Sequence, residues 1–152
     1  MKRILKILVL VILLAAVIGW YFYQKPTNTT MTGKPDFTLN LDTYVAEGIQ
    51  SSESDFNTQY VGKTIQFNGV VKSSNIQTTG STLFFEDTNE NVIVTAAFDA
   101  ERNAELQTIK PGDLLSLKCM CNGMAKPQDP DDLLSEISFT FNRCSIITAS
   151  EL

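Results

Sequence analysis

The chain has 152 residues, with 12 Lys and Arg against 17 Asp and Glu and no histidine, a length that holds one ordinary domain and a short accessory segment but not two domains. Without histidine there are no Ser-His or Cys-His nucleophile pairs, the commonest general base is missing, and so are the usual imidazole metal ligands. Residues 1–25 contain Lys2, Arg3, Lys6 and Lys25 and no acid, so the rest of the chain carries a formal charge of −9, a balance that repels phosphate backbones and disfavours nucleic acid as a partner.

Ile7 to Tyr23 runs ILVLVILLAAVIGWYFY without a charge. As a helix it would be roughly 25 Å long, close to the hydrocarbon thickness of a thin bilayer. Three cations precede it, and Trp20, Tyr21 and Tyr23 stand where an interfacial aromatic belt would lie. The pattern predicts a single-pass anchor in the bacterial inner membrane, with the N-terminus cytoplasmic and the domain periplasmic. A cleaved signal peptide is the competing reading, with Ala15, Ala16 and Gly19 as its small residues, but Trp-Tyr-Phe-Tyr would then open the mature chain. The expected organisation is a cytoplasmic stub at 1–6, an anchor at 7–23, a flexible linker at 24–38 and an extracytoplasmic domain at 39–149.

From Leu39 to Tyr60, Leu41, Tyr44, Val45 and Ile49 recur at helical spacing, with Asn40 or Asp42 available as a cap, and a second short helix holds Phe56 and Tyr60 after Ser51 or Ser52. These stripes read as surfaces that cover a small sheet. The period then becomes two. Ile65, Phe67, Gly69 and Val71 form the inner face of a first strand, with Gly69 as a candidate bulge. Ser73 to Ser81 is expected to be a loop, Thr82 to Glu86 a second strand, Asp87 to Glu90 a turn, and Asn91 to Phe98 a third strand. A short helix capped by Asp99 extends to Leu106, and Lys110-Pro111-Gly112-Asp113 marks a turn. A fourth strand places Leu115, Leu117, Cys119 and Cys121 on one face, and a fifth begins near Leu134 with Ile137, Phe139 and Phe141 inward. The order β-β-β-α-β-β predicts a mainly β protein: a five-stranded barrel of the oligonucleotide/oligosaccharide-binding (OB) type with an N-terminal helical lead.

Tyr60-Val61-Gly62-Lys63-Thr64-Ile65-Gln66-Phe67-Asn68-Gly69-Val70-Val71 resembles the Y-x-G-K-x-I-x-V-x-G-x-V opening of the tRNA-anticodon-like OB-fold family of exported bacterial proteins, frequent in Bacteroidota. Ile109 to Asp113, Leu117 to Gly123 and Asn142 to Ile146 resemble three later motifs of the same family, so the likeness extends from Leu39 to Ile147. Cys119 stands where the family pattern places glycine. The resemblance implies a disulfide between Cys121 and Cys144, worth about 3 kcal/mol in the chain-entropy model. By strand parity Cys144 is out of phase with Phe139 and Phe141, which a bulge at Asn142-Arg143 would repair, and Cys119 with Cys144 is the alternative pairing. The role of the third cysteine is left open.

No catalytic constellation emerges, and no cofactor or metal is expected. Cys119, Cys121 and Cys144 lack the second pair or histidine of a structural zinc site. Asp129, Asp131 and Asp132 lack the glycine and distal glutamate of an EF-hand, which makes a metal-dependent hydrolase the weaker alternative. Of Phe84 and Phe85, one should face the core and the other outward; an exposed Phe84 could stack on a base or sugar ring, but packing beneath the N-terminal helices, which must dock somewhere, is the favoured role for it. Lys72 and Lys118 are the cations placed beside it as candidate ligand-binding residues. The expected function is a non-catalytic, membrane-tethered binding or interaction module whose partners are the bilayer and an unidentified protein or small polymer. Single-stranded nucleic-acid or oligosaccharide binding on the strand face is the alternative.

Overall fold

The computed structural model describes residues 33–87, 89, 91–127 and 136–147. The anticipated anchor at 7–23 and the Asp129–Asp132 loop lie outside the described residues, among which no helix is long and apolar enough to cross a membrane.

Among the described residues, six strands and three α-helices follow one another as β1 (Phe37–Asn40), α1 (Leu41–Gln50), α2 (Glu53–Tyr60), β2 (Thr64–Gln77), β3 (Gly80–Phe85), β4 (Val92–Asp99), a 3-10 turn (Ala100–Arg102), α3 (Asn103–Leu106), β5 (Leu114–Ala125) and β6 (Ile137–Ile146). The sheet order is β1-β2-β3-β4-β6-β5, and a further β2–β5 pairing closes strands β2 to β6 into a five-stranded barrel. All of its pairings are antiparallel except β4 with β6. Closure removes the edges that a five-stranded open sheet would expose.

β2 can pair with both sides of the barrel because it is long and bends. Thr64 to Val70 pairs with β5, and Val71 to Gln77 with β3. The crossover is pinned by the Lys110–Asp113 turn, where Gly112 N–H donates to Val71 O at 2.8 Å and Val71 N–H donates to Asp113 O at 2.9 Å. Gly112 adopts φ 92° there, a conformation costly for residues with a Cβ. The irregularity in β2 falls between Val71 and Ser73, not at Gly69. Gly69 instead permits a close approach, since a Cβ there would come within 2.7 Å of the Phe85 ring.

Three expectations are corrected. Phe37 and Thr38 are strand rather than linker: β1 pairs parallel to β2, with Phe37 opposite Ile65 and Asn40 opposite Asn68. Ser73 to Ser81 is not a loop, because β2 runs on to Gln77 and pairs with Gly80 across a tight hairpin. The polar side chains there carry no alternating apolar pattern, since both faces are open to water. Asp99 precedes the 3-10 turn without making a side-chain cap bond.

The barrel interior follows the predicted alternation, with Ile65, Phe67, Val71, Leu83, Phe85, Val94, Leu117, Phe139 and Phe141 all buried. α1 and α2 seal one side. Asn40 accepts from Asp42 N–H and Ser52 from Asp55 N–H, satisfying the first-turn donors. Tyr44 of α1 is then surrounded by Phe56, Tyr60, Phe139 and Phe141, with ring centroids 5.0–5.7 Å away. Asn57 of α2 clamps β5 twice, donating to Met124 O at 2.9 Å and accepting from Met124 N–H at 2.7 Å. Lys126 donates to Ile49 O and Ser51 O at the C-terminal end of α1, where the helix dipole favours a cation.

The disulfide joins Cys119 to Cys144, and Cys121 is the free thiol, buried. The pairing implied by the family resemblance, Cys121 with Cys144, is thus corrected to the alternative. The bulge anticipated at Asn142-Arg143 exists: Lys118 pairs with Ser145 and Met120 with Asn142, and Arg143 takes φ 49°. The extra β6 residue sits opposite Cys119, whereas Cys121 lies opposite Phe141.

Candidate ligand-binding face

β3 and β4 alternate buried residues with half-buried ones on the outer side, placing Thr82 and Phe84 beside Ile93 and Thr95. Phe84 pairs with Thr95 and Phe85 with Val94; period two sets them on opposite faces, and the structure puts Phe85 in the core and leaves Phe84 half-buried on the outer face rather than packed beneath the N-terminal helices. Lys72 is the residue skipped in the β2–β3 register. Lys72, Ser73, Phe84, Ile93 and Glu136 line a shallow cleft of about 160 Å³, close to the roughly 150 Å³ of a cavity that accepts one benzene ring. An aromatic ring and an aliphatic side chain supply a stacking surface, and Lys72 and Glu136 supply one charge of each sign.

The three residues selected from sequence therefore separate. Phe84 and Lys72 line the same cleft. Lys118 does not: it is 8% exposed, and its ammonium donates to Gly33 O ahead of β1. Its aliphatic stem is buried and its head holds the incoming chain. Glu136 has no signal in the sequence because its place beside Phe84 depends on the parallel β4–β6 pairing that sets Val92 opposite Ile137, and Ile93 reaches the cleft through the β3–β4 register. Cys121 lies on the sealed side, its Sγ 3.1 Å from Tyr44 Oη. Burial pushes the Cys121 thiol up from its ordinary range and, with Cys121 beside it, holds the Tyr44 phenol well above the usual tyrosine value. Tyr60 donates to Glu47 Oε2 at 2.9 Å, and burial together with that bond raises its pKa to about 12. These groups stay protonated at neutral pH, and the thiol is not an activated nucleophile.

Strands closed in this order, with a helix between β4 and β5, define an OB-fold protein. The chain belongs to the tRNA_anti-like family, whose model matches residues 1–131. Among solved structures it is similar to a Klebsiella pneumoniae lipoprotein provisionally described as nucleic acid-binding, with a TM-score of 0.54 and 12% identity over 73% of this chain and 91% of that one. It is also similar to the Schizosaccharomyces pombe Stn1–Ten1 complex (TM-score 0.36, 12% identity, 57% of this chain and 60% of that one). An aspartyl-tRNA synthetase assigned in Leishmania major gives a TM-score of 0.42 and 13% identity over 88% of this chain, which spans 26% of that enzyme. No curated protein matches the sequence. At 12% identity the likeness to the Klebsiella lipoprotein reports the fold alone.

Proposed function

We propose that this chain is a non-catalytic binding module, held at the outer face of a bacterial inner membrane by residues 7–23, and that it receives one ring of a single-stranded polymer against Phe84. The observation that carries this reading is the cleft beside Phe84, which has the volume of a single ring and an aromatic wall. Its ionisable lining, one ammonium and one carboxylate, suits orientation of a bound group rather than two-carboxylate hydrolysis. The family and the description of the Klebsiella lipoprotein put single-stranded nucleic acid first among the ligands to test, with a neutral oligosaccharide second. Lys118 and Lys126 are committed to backbone carbonyls and Arg102 to Glu105. With those three cations engaged and a formal charge of −9 beyond residue 25, affinity for a nucleic acid would rest on stacking more than on phosphate neutralisation, with a shallow salt dependence.

Fluorescence anisotropy of the detergent-solubilised full chain with a labelled oligothymidylate and a labelled neutral glucan oligosaccharide tests this. Phe84→Ala should weaken whichever probe binds by about 1–3 kcal/mol, roughly five- to 150-fold. Wild type that binds neither probe, or Phe84→Ala that binds as well as wild type, overturns the reading. Carbonate extraction and protease accessibility of spheroplasts test the tether separately: release from the membrane, or protection of the domain from external protease, would refute it.

A further inference from the structure

A second cleft, of about 500 Å³, lies where β2 changes neighbours. On that edge β1 ends with Asn40 opposite Asn68, and the β3 pairing begins with Phe85 opposite Val71. Between them Gly69 has a described strand partner on one side alone, Leu115 of β5. The gap opens between the ends of two strands that run toward each other along β2.

Two properties of this gap point to what would fill it. Leu39, Val70 and Leu114 give it apolar walls, and Leu114 is 70% exposed, the most open large hydrophobic among the described residues. Asp42, Glu86 and Asp87 supply its charge, and no Lys or Arg is among the lining residues. Asp87 uses Oδ1 to accept from Asn89 N–H and Nδ2, which fixes that carboxylate at the cleft. Nucleic acid, acidic lipid and acidic peptide are repelled by such a rim, whereas a basic group is attracted and an aliphatic side chain can cover Leu114. The volume falls in the roughly 300–1,000 Å³ range of binding sites and exceeds what one side chain needs.

We propose that this cleft is a docking site for a basic peptide segment bearing an aliphatic side chain, supplied by a partner protein. It shares no lining residue with the cleft beside Phe84, so either site can fail without the other.

The test is isothermal titration calorimetry on the full chain in a neutral detergent. The probe is acetyl-Lys-Leu-Lys-Leu-Lys-amide, compared with the Glu-for-Lys and Ser-for-Leu versions. The Lys-Leu peptide should bind, the Glu-Leu peptide should not, and the Lys-Ser peptide should bind about tenfold more weakly. Leu114→Thr, which keeps a strand-forming residue at an exposed position, and the double variant Glu86→Gln with Asp87→Asn should each weaken the Lys-Leu peptide roughly tenfold. Phe84→Ala should leave it unchanged. No binding to wild type, or unaltered binding in both cleft variants with thermal melts like wild type, overturns the proposal. Equal binding of the Lys-Ser and Lys-Leu peptides would reduce the cleft to diffuse attraction and also overturn it. Sedimentation that shows self-association abolished by Leu114→Thr would assign the cleft to a second copy of this chain instead.

Discussion

On the side covered by α1 and α2, Tyr44, Phe56, Phe139 and Phe141 are buried in mutual ring contact, while on the β2–β3–β4 side Phe84 stands half-open above a ring-sized cleft. Both sides present aromatic residues at alternate strand positions. The difference lies in what each strand meets: β6 faces two capped helices clamped by Asn57 and Lys126, whereas β3 meets the short 3-10 turn and α3, where Ser81 donates to Asn103. Apolar surface on the covered side is spent on stability, and that on the open side remains available for a ligand.

The comparison can be sharpened by substitution. Phe139→Ala on the covered side should cost about 3–5 kcal/mol by chemical denaturation. An unfolding midpoint within error of wild type would show that the covered side is not the stabilising one. Replacing Cys119 and Cys144 together by serine should cost on the order of 3 kcal/mol, since the bridge spans 25 residues. Thiol counting on the unreduced, denatured chain should find one reactive thiol in wild type and none in Cys121→Ser. Finding three would exclude the bridge.

Alkali should act on the covered side first. Cys121 and Tyr60 are held protonated in the fold above the values of 9.0 and 10.0 at which the free groups titrate. The unfolded chain therefore binds fewer protons than the folded one as pH rises past 9, and stability falls with pH. The contribution is complete below pH 9 and, for Tyr60, is lost as pH passes through about 12. Tyr60→Phe should flatten the part of a stability–pH curve above pH 10, and an unchanged slope would remove Tyr60 from the account. The smallest effect is expected from Phe84→Ala, about 1 kcal/mol or less in stability. A cost as large as that of Phe139→Ala would mean that Phe84 belongs to the core.

The sequence alone was enough for the apolar half of β2, for the cores of β3 to β6, for the helical lead and for Phe84 and Phe85 facing opposite ways, because each rests on local periodicity: two residues per repeat in a strand and between three and four in a helix; which of the two phenylalanines faces outward was decided by the fold. The sequence also located the bulge near Arg143, since the phase of Cys144 breaks with that of Phe141. Register across strands is a property of two distant segments at once, and there the tertiary structure decided. It set Cys119 rather than Cys121 opposite Cys144, drew Phe37 to Asn40 alongside β2, and buried Lys118 against Gly33. The parallel β4–β6 pairing brought Glu136 to the cleft beside Phe84, and the change of neighbour along β2 opened the acidic cleft at Leu114. None of these placements has a local signature, because each depends on which backbone edge a strand finds when the barrel closes.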